Sequence, residues 1–232
     1  MKKKLLMAAV GAALVAGPVV SAHAAATLYG HFHMSMDRFD NDVIEEGKMA
    51  NNSSRFGIRG TESLGGGLNA IFQIESSING DTNAGNLGGR DTFVGFQGAW
   101  GTFKMGHFLM PLDDMHPIFG NVPTYTTSIL STASLWAQGY APKADGGFDA
   151  RLGNSLRYDS PSWAGLTFSG QVALRDGSGA TGSCCGSAIE ERRHAYVAGL
   201  NAIYNNGPIQ AGIGYELNKK VRGPDLDDYD LT

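Results

Sequence analysis

Past residue 24 the chain contains no apolar run long enough for a helical membrane span, so any crossing of a bilayer must be made by strands. It has two cysteines, Cys184 and Cys185, and they are adjacent. Neighbouring thiols cannot staple distant parts of a fold, and no third thiol exists to build a thiolate zinc site. They read as an oxidisable pair on an exposed loop. Basic runs are also lacking beyond the N-terminus: 18 Lys and Arg stand against 22 Asp and Glu, for a net charge of −4. That balance argues against nucleic acid as a partner.

The N-terminus reads differently from the rest. Met1-Lys2-Lys3-Lys4 precedes an apolar stretch from Leu5 to Val20, and Ala22-His23-Ala24 offers small residues where a signal peptidase cuts. As a membrane anchor the stretch is short, and Pro18 interrupts it. Residues 1–24 are therefore expected to be a removed signal peptide, with residues 25–232 forming one β domain and no linker inside it.

What the chain does have is alternation, punctuated by 33 glycines. Ser54-Arg55-Phe56-Gly57-Ile58-Arg59-Gly60 puts two arginines on one face of a strand and Phe56 and Ile58 on the other. The same rhythm predicts strands over 27–38, 54–60, 68–75, 91–98, 102–108, 151–159, 166–175, 194–204 and 209–219. The joints after the first, third, fifth and seventh strands are long; those after the second, fourth, sixth and eighth are tight. A soluble sheet has no need of that asymmetry, whereas a transmembrane barrel keeps tight turns at one rim and long loops at the other. The expected fold class is all-β, an antiparallel transmembrane β-barrel with apolar residues to lipid and polar residues to a wet lumen. Trp100, Trp163 and Tyr204 fall at the tight-turn end, where an aromatic girdle is expected. The longest joint, Pro111 to Ala150, exceeds what a compact fold normally leaves without a role.

Several stretches carry a family resemblance: Thr27-Leu28-Tyr29-Gly30, Ser53-Ser54-Arg55-Phe56-Gly57-Ile58-Arg59-Gly60-Thr61-Glu62, Ala70-Ile71-Phe72-Gln73, Phe93-Val94-Gly95 and Asn154-Ser155-Leu156-Arg157-Tyr158-Asp159-Ser160-Pro161. In this order and spacing the chain resembles the general porins of Gram-negative outer membranes, closest to the proteobacterial trimeric kind. The resemblance implies a sixteen-stranded barrel that assembles as a homotrimer in outer-membrane lipid. It also implies a third extracellular loop, here 111–150, folded into the lumen as a constriction. Against that pattern the chain carries about nine strands and no final strand ending in an aromatic. An unclosed sheet would leave backbone edges unpaired in lipid, so an N-terminal portion or truncated member is expected. A second departure is His107, where similar porins usually carry an arginine facing the pore.

A diffusion pore needs radius and field rather than chemistry. Strand parity predicts a basic wall of Arg55, Arg59, Lys104, Arg151 and Arg157, with Asp113, Asp114, Asp145 and Asp149 on the long loop available to face it. His107 joins this pore-lining set if a local bulge turns it inward. Its protonation at lower pH would then shift selectivity toward anions. His31 and His33 sit two apart on one face, yet no third ligand has a matching position, so they read as lumen-lining rather than metal-binding. No cofactor, metal or catalytic residue is expected. Ser35, His33 and Asp37 lie along one strand face and do not converge as a hydrolase site requires. The readings that compete with a pore for ions and small hydrophilic solutes are an adhesive or structural barrel, and a truncated non-functional remnant.

Overall fold

A computed structural model describes residues 25–40, 45–80, 87–119, 150–174, 196–219 and 229–231. The leader 1–24, the cysteine pair and the acids Asp145 and Asp149 lie outside the described residues. The strands in chain order are β1 (Ala25–His31), β2 (Met34–Asp40), β3 (Glu45–Asn51), β4 (Arg55–Gly65), β5 (Leu68–Ser77), β6 (Thr92–Gly98), β7 (Gly101–Leu109), β8 (Arg151–Asp159), β9 (Leu166–Leu174), β10 (Tyr196–Asn206), β11 (Ile209–Lys219) and β12 (Tyr229–Leu231). One sheet of ten antiparallel strands runs β1-β4-β5-β6-β7-β8-β9-β10-β11-β12, and β2 pairs with β3 alone. No helix among the described residues is long and apolar enough to cross a membrane.

The alternation predicted from sequence is the alternation observed. Register links Phe72 to Val94, Val94 to Met105, Met105 to Leu156 and Leu156 to Val172. This row crosses five strands on one face, and Val94 is 56% exposed. Leu28, Ile58 and Ile74 form a parallel row on β1, β4 and β5, all exposed. Exposed, contiguous apolar rows of this kind suit acyl chains and not water. Tight turns close one rim. The β4–β5 turn uses Gly65, Gly66 and Gly67 at φ of +89°, +61° and +79°, a run of left-handed conformations that side chains resist. At the same rim Trp100 stacks on Tyr158, with ring centroids 6.2 Å apart, and the Tyr158 hydroxyl donates to the Trp100 carbonyl at 2.6 Å. Trp163 packs on Phe168 beside them.

Two expectations about strands are corrected. The single strand over 27–38 is two strands, broken at Phe32 and His33. The His33 N–H donates to Ser54 Oγ at 2.8 Å, and its carbonyl accepts from Ser54 Oγ and from the Asn52 N–H. These bonds take the His33 backbone out of the sheet, so the chain leaves it there. β2, the second half of the strand expected over 27–38, pairs instead with β3, which lies in the joint expected to follow that strand. The sheet also gains β12, beyond the last strand expected, which ended at 219.

Buried apolar side chains gather on the inner face, where only polar groups were expected. Met110, Leu152, Ala173 and Val197 form one cluster; Leu112 and Met115, packed by Ile118 and Ile203, form another. Both lie where the chain leaving β7 folds back over β8 to β11 and covers the wall from water.

Candidate pore lining and constriction

Strand parity delivers the charged groups to the face opposite the apolar rows. On β4 and β5 they centre on Glu75, which is 7% exposed. Tyr29 donates its hydroxyl to Glu75 Oε2 at 2.8 Å, Arg90 Nε donates to Oε1 at 2.6 Å, and Arg55 Nε stands 3.8 Å away. Arg59 lies over the Tyr29 ring, its guanidinium carbon 5.0 Å from the centroid, a cation–π seat. Two guanidinium groups thus share one carboxylate and a third stands beside them on the ring, which leaves local positive charge on this wall.

A second group forms on β7 and β8. Register pairs Lys104 with Arg157. Two like charges at that spacing repel unless acids intervene, and Asp159 does so: it takes Lys104 Nζ at 3.0 Å and Arg157 Nε at 2.7 Å. The other edge of the Arg157 guanidinium holds Asp114 and the Leu109 carbonyl. Asn201 on β10 completes the junction, donating from Nδ2 to the Pro111 carbonyl at 2.6 Å and to Asp114 Oδ2 at 2.8 Å. Asp114 belongs to a 3₁₀ turn, Asp113–Phe119, that begins the long joint. Burial pushes the Asp114 carboxyl above its usual range, against the opposing pull of Arg157 and Asn201.

The predicted basic wall is therefore not one surface. Arg55 and Arg59 gather with Glu75 and Arg90, and Lys104 and Arg157 with Asp159 and Asp114. Arg151 stands apart, bound through Nε to Asp91 at 2.5 Å. Of the loop acids, Asp114 meets the wall, while Asp113 is engaged by His116 of its own turn at 3.0 Å. A register shift does occur beside His107, between Gly106 and Phe108. The extra residue is on β8, however, where Asn154 takes φ +53°. β7 keeps its step across to β6, pairing His107 with Thr92 in the row next to Val94 and Met105. The bulge that would turn His107 inward is in the wrong strand.

Sequence reasoning named every cation of the two groups but Arg90, and missed the partners Glu75, Asp91, Asp159 and Asn201. Parity carried a signal for two of them. Asp159 follows Arg157 by two and faces the same way, and Glu75 follows Gln73 likewise.

An antiparallel sheet with apolar rows outward, ion-paired groups inward, a turn-rim of aromatics and a loop folded onto the inner wall defines a section of an outer-membrane β-barrel. The chain belongs to the Gram-negative porin family, whose profile matches residues 8–232. It is similar to the major outer membrane protein P.IB of Neisseria gonorrhoeae, 32% identical over 221 residues covering 89% of this chain and 59% of that protein. Outer membrane porin protein 32 of Delftia acidovorans is 28% identical over 232 residues, covering 96% and 62%. Among solved structures, an anion-selective porin from Comamonas acidovorans shares the fold at TM-score 0.61 and 24% identity, over 84% of this chain and 58% of that one. An OmpT loop-deletion variant from Vibrio cholerae does so at TM-score 0.57. The chain thus spans about three fifths of the length of the relatives it matches. Membership of this family places it in the outer membrane of a Gram-negative cell, crossing by strands.

Proposed function

We propose that this chain walls a water-filled pore for passive diffusion of ions and small hydrophilic solutes, narrowed by the joint between β7 and β8. We propose also that it works as a homotrimer. The observation that supports this reading is the Arg157–Asp114–Asn201 junction, because it holds the start of the long joint against the lumen face instead of letting it extend outward. The relatives are porins, and the charged groups described above are paired with one another as a pore wall would hold them. The inner charges are of both signs, which suits a field that orients water and polar solutes.

Liposome swelling with sugars of graded size tests the pore. Swelling rates that fall smoothly with sugar size support it, and no swelling by folded protein refutes it in favour of an adhesive barrel or a remnant. Light scattering of the detergent-solubilised protein tests the trimer separately, since a monomeric mass overturns that part alone.

A further inference from the structure

The start of the long joint lies against a wall made unusually flat by glycine. Gly199 and Asn201 on β10, and Gly212 and Gly214 on β11, face the 3₁₀ turn, and register pairs Asn201 with Gly214 and Ile203 with Gly212. A Cβ at Gly214 would stand 2.7 Å from Leu112 Cδ2 and 3.0 Å from Met115 Cε; one at Gly212 would stand 2.9 Å from Ile118 Cδ1. A Cβ at Gly199 would stand 2.9 Å from both Met110 Cε and Pro111 Cδ. None of these three glycines has positive φ, so the backbone does not call for glycine there; the space does.

We propose that Gly199 is the positioning residue that sets how far the constricting turn stands from the wall, with Gly212 and Gly214 as the rest of its seat. This rests on the pore reading and says what fixes the bore. The neighbours decide the ranking. Leu112 Cδ2, Met115 Cε and Ile118 Cδ1 are ends of flexible side chains and can rotate away from an added methyl. Pro111 Cδ cannot, because it is locked in a ring on the backbone nitrogen. Relaxing 2.9 Å to an ordinary contact near 4 Å moves the turn by about 1 Å. β10 is held on both sides by β9 and β11, so the turn is what moves, and it moves into the lumen. Asn201 resists by holding the Pro111 carbonyl, and Leu112 and Met115, 1% and 5% exposed, are lifted off their seat.

The test compares wild type, Gly199→Ala, Gly199→Val and the double variant Gly199→Ala with Pro111→Ala, each checked for folding by heat-modifiable gel mobility. Single-channel conductance in planar bilayers is expected to fall stepwise from wild type through Gly199→Ala to Gly199→Val. The double variant should recover conductance, because removing the ring restores the room. Conductance unchanged in Gly199→Val, or no recovery in the double variant, overturns the proposal. If Gly199→Val does not fold, the alanine variant and its rescue decide. A second readout needs no conduction. With Cys184 and Cys185 replaced by serine, Leu112→Cys should react several-fold faster with a water-soluble maleimide when Gly199→Val is added. An unchanged rate overturns the proposal, whereas a non-conducting wild type that still shows this acceleration sinks the pore reading and leaves the seat standing.

Discussion

Replacing Arg157 by glutamine withdraws the guanidinium from between two carboxylates, while replacing Asp114 by asparagine removes one charge and keeps its shape. The two variants should differ sharply although they break the same ion pair. Arg157 has a side chain only 8% exposed and holds Asp114, Asp159 and the Leu109 carbonyl. Breaking a buried pair from one side costs about 3–5 kcal/mol because the other charge is stranded. Here Asp159 keeps Lys104 at 3.0 Å and Asp114 keeps Asn201 at 2.8 Å, so the lower end applies, about 3 kcal/mol. For Asp114 the sign reverses. Burial raises its carboxyl above the unfolded value, so the neutral form is the one the fold favours. Its stabilising contribution is complete below the unfolded pKa and is lost as pH rises through the folded one. Above the folded pKa the ionised carboxylate is a net liability, and Asp114→Asn should there cost less than about 1 kcal/mol or stabilise. Urea titration in detergent micelles, followed by tryptophan fluorescence, gives both numbers. Acidification should bring wild type and Asp114→Asn together as the wild-type carboxyl becomes neutral. An Asp114→Asn variant as damaged as Arg157→Gln would refute the reasoning, as would an Arg157→Gln variant within about 0.5 kcal/mol of wild type.

Three further outcomes follow from the two faces of the sheet. Arg59→Gln should shift the zero-current potential in a salt gradient toward cation preference, since Arg59 leans on an aromatic ring and its charge is left for the lumen; no shift would put Arg59 outside the conducting path. Val94→Arg, on the exposed apolar row, should destabilise the protein in lipid vesicles by about 2–4 kcal/mol, while Gln73→Glu on the opposite face, across from Arg59 in register, changes stability little. Equal costs for the pair would abolish the assignment of lipid and lumen faces. Trp100→Ala should lose about 0.5–1.5 kcal/mol through its stack on Tyr158, and quenching of the wild-type indole by headgroup-labelled lipid should exceed quenching by lipid labelled near the chain ends.

The strands were legible because their rule is local. Phe56 and Ile58 face one way and Arg55 and Arg59 the other whatever the rest of the chain does, and the Gly65-Gly66-Gly67 turn announces its own conformation. What was not legible depends on distant residues. The break at His33 exists because Ser54 binds its backbone from 21 residues away. The acid that answers Arg151 is Asp91, 60 residues earlier. The bulge beside His107 could be anticipated, but which strand carries it rests on the pairing of β7 with β8, and strand parity in β7 alone is blind to that.

The inner face of β10 shows where parity itself breaks down and why that is informative. Val197, Gly199, Asn201 and Ile203 share the lumen side, and Ala198, Leu200 and Ala202 share the lipid side, so the strand is apolar or small on both faces over most of its length. A wall facing a water column would leave Val197 wet, yet it is 2% exposed. Among the described residues it is covered from the lumen by those that begin the long joint: Met110 lies against Val197 and Gly199, and Leu112 and Met115 lie beside Ile203. The hydrophobic effect thus makes the loss of alternation on one strand the mark of another segment lying on it. Had β10 been read for that failure, the landing place of the turn after β7 would have been visible in the sequence. Polar residues placed at Val197 and Ile203 should accordingly loosen the turn, while polar residues at Leu200 should instead disturb insertion into lipid.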